Sequence, residues 1–205
     1  MSRKVDGLLG ALTDGLCGFL AFESRCGMSA GYNEYFLYRP IIEIVKHRPG
    51  WRLVSEWPLT QQTGKSGAGD HKRIDFLFES KASTNSSEEP RFVAVEIKWA
   101  NNATRYLDVT RDVTKLTSLL TTRPGGKVSK ESRINLTAFL FVVGAHGFDV
   151  SGAPSLKVKL RGLPDTASMV LAKGYKASGT RSSYGVTVFE INHHSVQVMG
   201  ARGSL

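Results

Sequence analysis

Two short segments of the chain combine acidic residues and a lysine with apolar residues at alternate positions. Asp75 lies in "RIDFLF", and Glu96 and Lys98 lie in "VAVEIKW". The alternation predicts that both segments are β-strands, and side chains two positions apart on a strand point to the same face. Glu96 and Lys98 therefore share a face. Charges inside apolar strands are costly unless they compensate each other or bind a metal.

The chemistry that this set allows follows from its oxygen atoms. If the two strands pair as a hairpin across the Ser-rich connection at 80–90, Asp75 can approach Glu96. Carboxylates of this kind suit Mg²⁺ or Mn²⁺. These ions keep several bound waters and are commonly coordinated by one or two carboxylates together with substrate phosphates. Such an ion activates water and neutralises charge at phosphorus, and a lysine can assist both. The alternative is a structural ion-pair group at an exposed sheet edge, which would have little energetic value.

The elements that must position these residues are predicted from periodicity. Apolar residues at helical spacing predict a helix over 33–48, in which Pro40 imposes a kink or a restart. Segment 50–59 has a half-buried strand pattern, 104–120 returns to a helical period, and 135–144 is typical of a strand covered on both faces. We predict an α/β fold with a mixed central sheet flanked by helices.

The ends of the chain have weaker patterns. The apolar run at 7–22 contains Asp14 and four glycines, which favours a short helix packed on the body over a membrane span. After residue 150, segment 164–174 is interpreted as a short helix, 173–185 as a basic Gly/Ser-rich loop, and 184–200 as one or two strands.

The length predicts one domain over 1–205. It comprises an N-terminal helical segment (1–30), a core (about 31–145) and a C-terminal extension (about 146–205).

Composition bounds the environment and the partners. With 41% hydrophobic residues the chain can bury a sizeable core, and its net charge of +9 favours attraction to polyanions. Cys17 and Cys26 have neither CxxC spacing nor a histidine cluster beside them, so a disulfide framework and a zinc site are not indicated. We predict a soluble, cytoplasmic protein without a membrane partner.

The order helix, three strands, helix, strand over 31–145, with these charged residues, resembles the PD-(D/E)xK nuclease superfamily and its restriction-endonuclease-like fold. In that family an acidic residue on the first core helix precedes an Asp on one strand and a (D/E)xK triplet on the next. The matching positions are Glu34 in "NEYFLYRPI", Asp75 in "RIDF", and Glu96 with Lys98 in "VEIKW". If the helix begins at its proline instead, Glu43 is the competing helix acid.

The resemblance implies a Mg²⁺- or Mn²⁺-dependent nuclease that hydrolyses phosphodiester bonds, with DNA as the first candidate substrate. It implies that Asp75, Glu96 and the main-chain carbonyl of Ile97 hold the metal. Lys98 would orient or activate the attacking water, and Glu34 would assist through a water or a second ion. RNA as the substrate, a homodimer, and a catalytically inactive nuclease fold that binds nucleic acid or a protein partner stay open.

Basic residues supply candidate contacts to the phosphate backbone. Arg111 and Lys115 lie one turn apart on the second core helix, although Asp108 and Asp112 beside them equally make a solvated ion-pair face. The basic loop 173–185 also has tyrosines at both ends, which suits phosphate neutralisation with base stacking. The nucleic-acid-binding candidates are Arg73, Arg111, Lys115, Lys173, Lys176 and Arg181.

Overall fold

The chain forms one mixed six-stranded sheet with helices on both faces. The computed structural model describes residues 3–27, 33–58, 73–80, 90–100, 106–121, 136–145, 166–176 and 183–192. The elements are α1 (Arg3–Arg25), α2 (Glu34–Lys46), β1 (Trp51–Pro58), β2 (Arg73–Ser80), β3 (Phe92–Ala100), α3 (Tyr106–Thr121), β4 (Leu136–Ala145), β5 (Ala167–Lys176) and β6 (Ser183–Ile191). The predicted α/β class and mixed sheet are confirmed.

The strand order is β1-β2-β3-β4-β6-β5. β3 and β4 are parallel, and every other neighbouring pair in this sheet is antiparallel. The antiparallel pairing of β2 with β3 is the hairpin pairing expected across 80–90. β5 and β6, from the C-terminal extension, continue the same sheet on the far side of β4.

Two apolar cores lie on opposite faces of the sheet. Val95 and Ile97 face the layer formed by α1 and α2. Ala94 faces α3, where it belongs to the same cluster as Val113 and Leu116. β4 has buried side chains on both faces from 138 to 143, as its continuous apolar run predicted. Each fully buried Val, Leu or Phe contributes roughly 1.5–3 kcal/mol, so the sheet is held from both sides.

α1 is longer than the short helix expected at 7–22, and it packs closely on α2. Its buried side chains follow the helical period through Leu8, Leu12, Leu16 and Leu20. By length and composition α1 could also cross a membrane, a test that core helices of soluble proteins pass as well. A Cβ on Gly15 would lie 2.2 Å from Ile44 Cδ1, so the glycine permits the close approach of the two helices.

α2 begins at Glu34 and continues through Pro40, so the restart at the proline is wrong. Asn33 caps the helix, since its side-chain oxygen accepts a hydrogen bond from Phe36 N at 2.9 Å. An internal proline costs a helix about 3 kcal/mol, because it removes one main-chain hydrogen bond. The cap and the burial of Leu37 and Ile41 offset that cost.

Two expectations for the C-terminal part are wrong. Segment 164–174 is not a helix, because residues from Ala167 onward form edge strand β5 and pair with β6 along its length. Segment 173–185 is not one loop either, since its two ends belong to β5 and β6. Strand pairing outweighs the short helical period, a common result where local propensity is weak. Residues 193–200, at the end of the predicted terminal strands, lie outside the described residues.

Removing the N-cap of α2 should destabilise the protein. We expect Asn33→Ala to lower the free energy of unfolding by about 1 kcal/mol, because the Phe36 N–H loses its acceptor. Asn33→Ser restores a capping oxygen and should recover most of that loss. Urea denaturation of the three proteins measures the difference, and equal stability of Asn33→Ala and wild type would contradict it.

Candidate active site

The site lies where β2 and β3 separate. Their pairing runs from Glu79 opposite Phe92 to Phe76 opposite Val95 and ends there. Beyond that point β2 stays paired with β1, and β3 stays paired with β4 through Ala100. We call this opening, bounded by residues 73–75 and 96–100, the β2–β3 fork.

Asp75 occupies the β2–β3 fork and is held through both carboxylate oxygens. Its Oδ2 accepts a hydrogen bond from Ile97 N at 2.8 Å, in place of the main-chain partner that the separating strand no longer provides. Its Oδ1 accepts a hydrogen bond from the Tyr38 hydroxyl of α2. Two bonds from two elements thus fix the orientation of this carboxylate.

Tyr38 is a site residue that sequence reasoning missed. Its ring packs on Phe76, with 4.7 Å between ring centroids. Burial, followed by the charge of Asp75, raises the pKa of the Tyr38 hydroxyl well above its ordinary value. The hydroxyl therefore remains a donor. Its position one helical turn after Glu34 was the signal available in the sequence.

Glu96 lies on the α3 side of the sheet and is almost completely buried. Its side chain is 3% exposed, and Oε1 is 2.6 Å from Nζ of Lys115 on α3, whose side chain is 12% exposed. Burial raises the pKa of Glu96 well above its usual range, the negative charge of Asp75 raises it further, and Lys115 opposes both. Asp75 and Glu96 are therefore close enough for their charges to interact.

Lys98 connects the two helical layers. Its ammonium is 2.8 Å from Glu34 Oε1 on α2 and 3.4 Å from Asp112 Oδ2 on α3. The Lys98 and Asp112 side chains are each 13% exposed. Burial raises the pKa of Asp112, while the charges of Lys98 and Lys115 lower it. Asp112 is thus a member of the site, and its interpretation as part of a solvated face is wrong.

The site carries an excess of negative charge. Among the side chains that the structure describes here, four carboxylates face two ammonium groups, which leaves two formal negative charges when all six are ionised. The six side chains are Glu34, Asp75, Glu96, Lys98, Asp112 and Lys115. The carboxylate oxygens nearest the lysines are buried, and none of them accepts a hydrogen bond of normal geometry. Short ion pairs hold them to the lysines.

The donors suit a hydrated hard cation better than a metal enclosed by protein ligands. Among the residues that the structure describes, no group of three or more His, Cys, Asp and Glu side chains could together hold a metal ion. Asp75 and Glu96 supply two carboxylates, and Mg²⁺ typically needs only one or two from the protein because it keeps several waters. These residues therefore fit Mg²⁺ or Mn²⁺ and not a structural zinc ion.

The structure distinguishes between the two candidate helix acids. Glu34 opens α2 and contacts Lys98. Glu43 is exposed and lies beside Lys46 and His47, at 3.8 and 3.9 Å. Only Glu34 belongs to the site.

The predicted phosphate contacts separate into different places. Lys115 is only 12% exposed and pairs with Glu96, so it does not lie on an open surface. Arg111, on α3, and Arg73, at the start of β2, are both exposed. Arg181 lies outside the described residues.

Lys173 and Lys176 are in strand β5 and not in a loop. Lys173 bonds Asp14 of α1, on the face opposite Glu96. β5 is three strands from β3, roughly 14 Å across the sheet. The β2–β3 fork and Lys173 therefore do not form one surface.

No protein-family model matches the chain, and comparisons with curated proteins and with solved structures also gave no match. The functional interpretation therefore depends on the geometry of the β2–β3 fork. That geometry places two carboxylates, two partly buried lysines and a main-chain amide around one opening in the sheet.

Replacing Glu96 by Gln should change how stability depends on pH. A carboxyl whose pKa is raised by folding contributes stability that is fully present below its unfolded-state pKa, near 4.5, and is lost as pH rises through the folded-state pKa. In EDTA, the free energy of unfolding of Glu96→Gln minus that of wild type should therefore increase from about pH 4 upward. Urea denaturation at several pH values measures this slope.

Asp112 also titrates, and its charge interacts with that of Glu96, so the comparison is repeated in an Asp112→Asn background. Loss of the Lys115 contact can shift the absolute difference in the free energy of unfolding. The test therefore uses only the slope of that difference against pH. A difference that is constant with pH would show that folding does not raise the pKa of Glu96.

Proposed function

We propose that the protein is a metal-dependent nuclease of the PD-(D/E)xK type, which hydrolyses phosphodiester bonds, foremost in DNA. The element order from α2 to β4 and the position of Asp75 on β2, before Glu96 and Lys98 on β3, support this proposal. The observation that carries it is the convergence of Asp75, Glu96, Lys98 and Glu34 at the β2–β3 fork.

Asp75, Glu96 and the main-chain carbonyl of Ile97 would hold Mg²⁺ or Mn²⁺. The N–H and C=O of one strand residue point the same way, so the Ile97 carbonyl is directed into the β2–β3 fork with the N–H that Asp75 binds. When bound there, the ion supplies Lewis-acid charge to the phosphate and lowers the pKa of a coordinated water. The excess negative charge of the site favours its binding.

The lysines have different tasks in this proposal. Lys98, held between Glu34 and Asp112, presents an ammonium that orients the attacking water and offsets charge developing on the phosphate. Lys115 neutralises Glu96 in the metal-free protein, which lowers the cost of burying that carboxylate. Tyr38 keeps the Asp75 carboxylate oriented through its hydrogen bond.

The Glu96–Lys115 pair also favours a second candidate function. Lys115 already compensates Glu96 without a metal ion, so the pair would also suit a nuclease fold that has lost its activity. Such a protein would bind nucleic acid or a protein partner without cleaving. Its binding would be independent of Mg²⁺ and of Lys98, which separates it from the nuclease.

Cleavage should require the residues of the β2–β3 fork. We expect Asp75→Asn, Glu96→Gln and Lys98→Met each to reduce cleavage by about a hundredfold or more, because each removes charge at the reacting phosphate. Plasmid and linear DNA, and RNA in parallel, are incubated with Mg²⁺, Mn²⁺ or EDTA. Glu43→Gln is the matched control, and it should cleave like wild type because Glu43 lies outside the site.

Asp75→Asn is preferred to alanine, because an amide can still accept from Ile97 N and donate to the Tyr38 oxygen. Alanine would leave both partners without their bonds and confuse stability with activity. Wild-type cleavage rates in a folded Asp75→Asn protein would refute the site assignment.

A divalent ion should stabilise the folded protein. Binding to the native state alone adds RT ln(1 + [L]/Kd), about 2.7 kcal/mol at a hundredfold excess over Kd. We expect Mn²⁺ to raise the melting temperature of wild type and Glu43→Gln but not of Asp75→Asn. Differential scanning calorimetry in EDTA and in Mn²⁺ tests this, and equal shifts in all three proteins would place the ion elsewhere.

A further inference from the structure

Tyr35 is a large aromatic residue that the fold leaves exposed beside the site. It is 71% exposed, while the other aromatic residues of α2 are at least partly covered. Its ring centroid lies 5.5 Å from that of Tyr38, whose hydroxyl bonds Asp75. One ring contact and one hydrogen bond therefore connect Tyr35 to the proposed metal-binding carboxylate.

Exposed residues continue from Tyr35 along the same side of α2. Arg39, Ile42 and Lys46 follow at spacings of four, three and four residues, which places them on one helix face. We call these four residues the α2 stripe. Ile42 is 38% exposed and the Lys46 side chain 66% exposed. The stripe alternates an apolar surface with a positive charge over about 16 Å.

We propose that the α2 stripe binds a single-stranded segment of the nucleic-acid substrate, with an unpaired base stacked on Tyr35 and phosphates near Arg39 and Lys46. This inference rests on the proposed function and names its substrate class. Charge complementarity supports the occupant, since the stripe carries two cations on a chain of net charge +9. Glu43, within 3.8 Å of Lys46, weakens the far end of the stripe, so the Tyr35 end binds more strongly.

Stacking on Tyr35 selects unpaired nucleotides for a geometric reason. Bases inside a duplex are covered on both faces by their neighbours, whereas a base in a single strand can turn one face to an aromatic ring. A strand held this way would pass from Tyr35 toward Tyr38 and the β2–β3 fork, where its phosphate meets the site.

Binding measured without cleavage tests the α2 stripe. Fluorescence anisotropy in EDTA compares a labelled single-stranded 12-mer with the same sequence as a duplex. We expect wild type to prefer the single strand, and Tyr35→Ala to weaken single-strand binding by about tenfold while changing duplex binding less than about twofold. Tyr35→Trp should retain the preference, because tryptophan also stacks.

Two further variants control for other causes. Met169→Ala removes an exposed apolar side chain from β5, 41% exposed, and should bind like wild type. Arg39→Gln should weaken binding to the single strand and to the duplex, and should reduce the salt dependence of log Kd by about 0.7 and about 0.9 respectively. Circular dichroism establishes whether each variant is folded. Because Tyr35 is exposed, its substitution should not disturb the fold.

The inference would be overturned if Tyr35→Ala left single-strand affinity unchanged. It would also be overturned if the variant lost the same affinity for the single strand and for the duplex. A wild type that binds the duplex as tightly as the single strand, or binds neither, would also overturn it. If any of these results is found and cleavage still depends on Asp75, the α2 stripe is refuted and the nuclease proposal stands. Single-strand binding that needs Tyr35, without any cleavage, would support the stripe and refute the nuclease.

Discussion

The hydrogen bond from Ile97 N to the Asp75 carboxylate is the contact on which the site depends. Where two strands separate, main-chain groups lose their partners, and a buried group without one is expensive. Asp75 supplies that partner, so β2 can leave β3 while both stay in the sheet. The opening lets Tyr38 reach in from one helical layer and lets β3 present Glu96 to Lys115 of the other.

Electrostatics explains why the charged groups come as a set. Breaking a buried ion pair by removing one partner commonly costs about 3–5 kcal/mol, because an uncompensated charge remains. Lys98 and Lys115 therefore stabilise carboxylates that the interior would otherwise reject. They do so incompletely, since burial and Asp75 still raise the pKa of Glu96. The remaining negative charge promotes the binding of a divalent cation. Without a bound cation it destabilises the folded protein.

Much of the fold followed from local patterns. Alternation placed Asp75 and Glu96 on neighbouring strands, and the continuous apolar run predicted β4 as a buried strand. β5 was missed because its short segment has a helical period that pairing with β6 overrides. The sequence left a solvated face open as an alternative for Asp112, because one helix cannot show which of its sides a distant lysine will approach.

The sequence alone determined which residues could do chemistry and on which face of β3 they lie, because side-chain direction along a strand or a helix depends only on the backbone period. The tertiary structure decided the rest. It ended the β2–β3 pairing at Phe76, brought Tyr38 to Asp75 and turned Lys115 toward Glu96. These contacts join elements that are distant in the chain, and their geometry follows from how the two layers pack on the sheet, which no local spacing encodes.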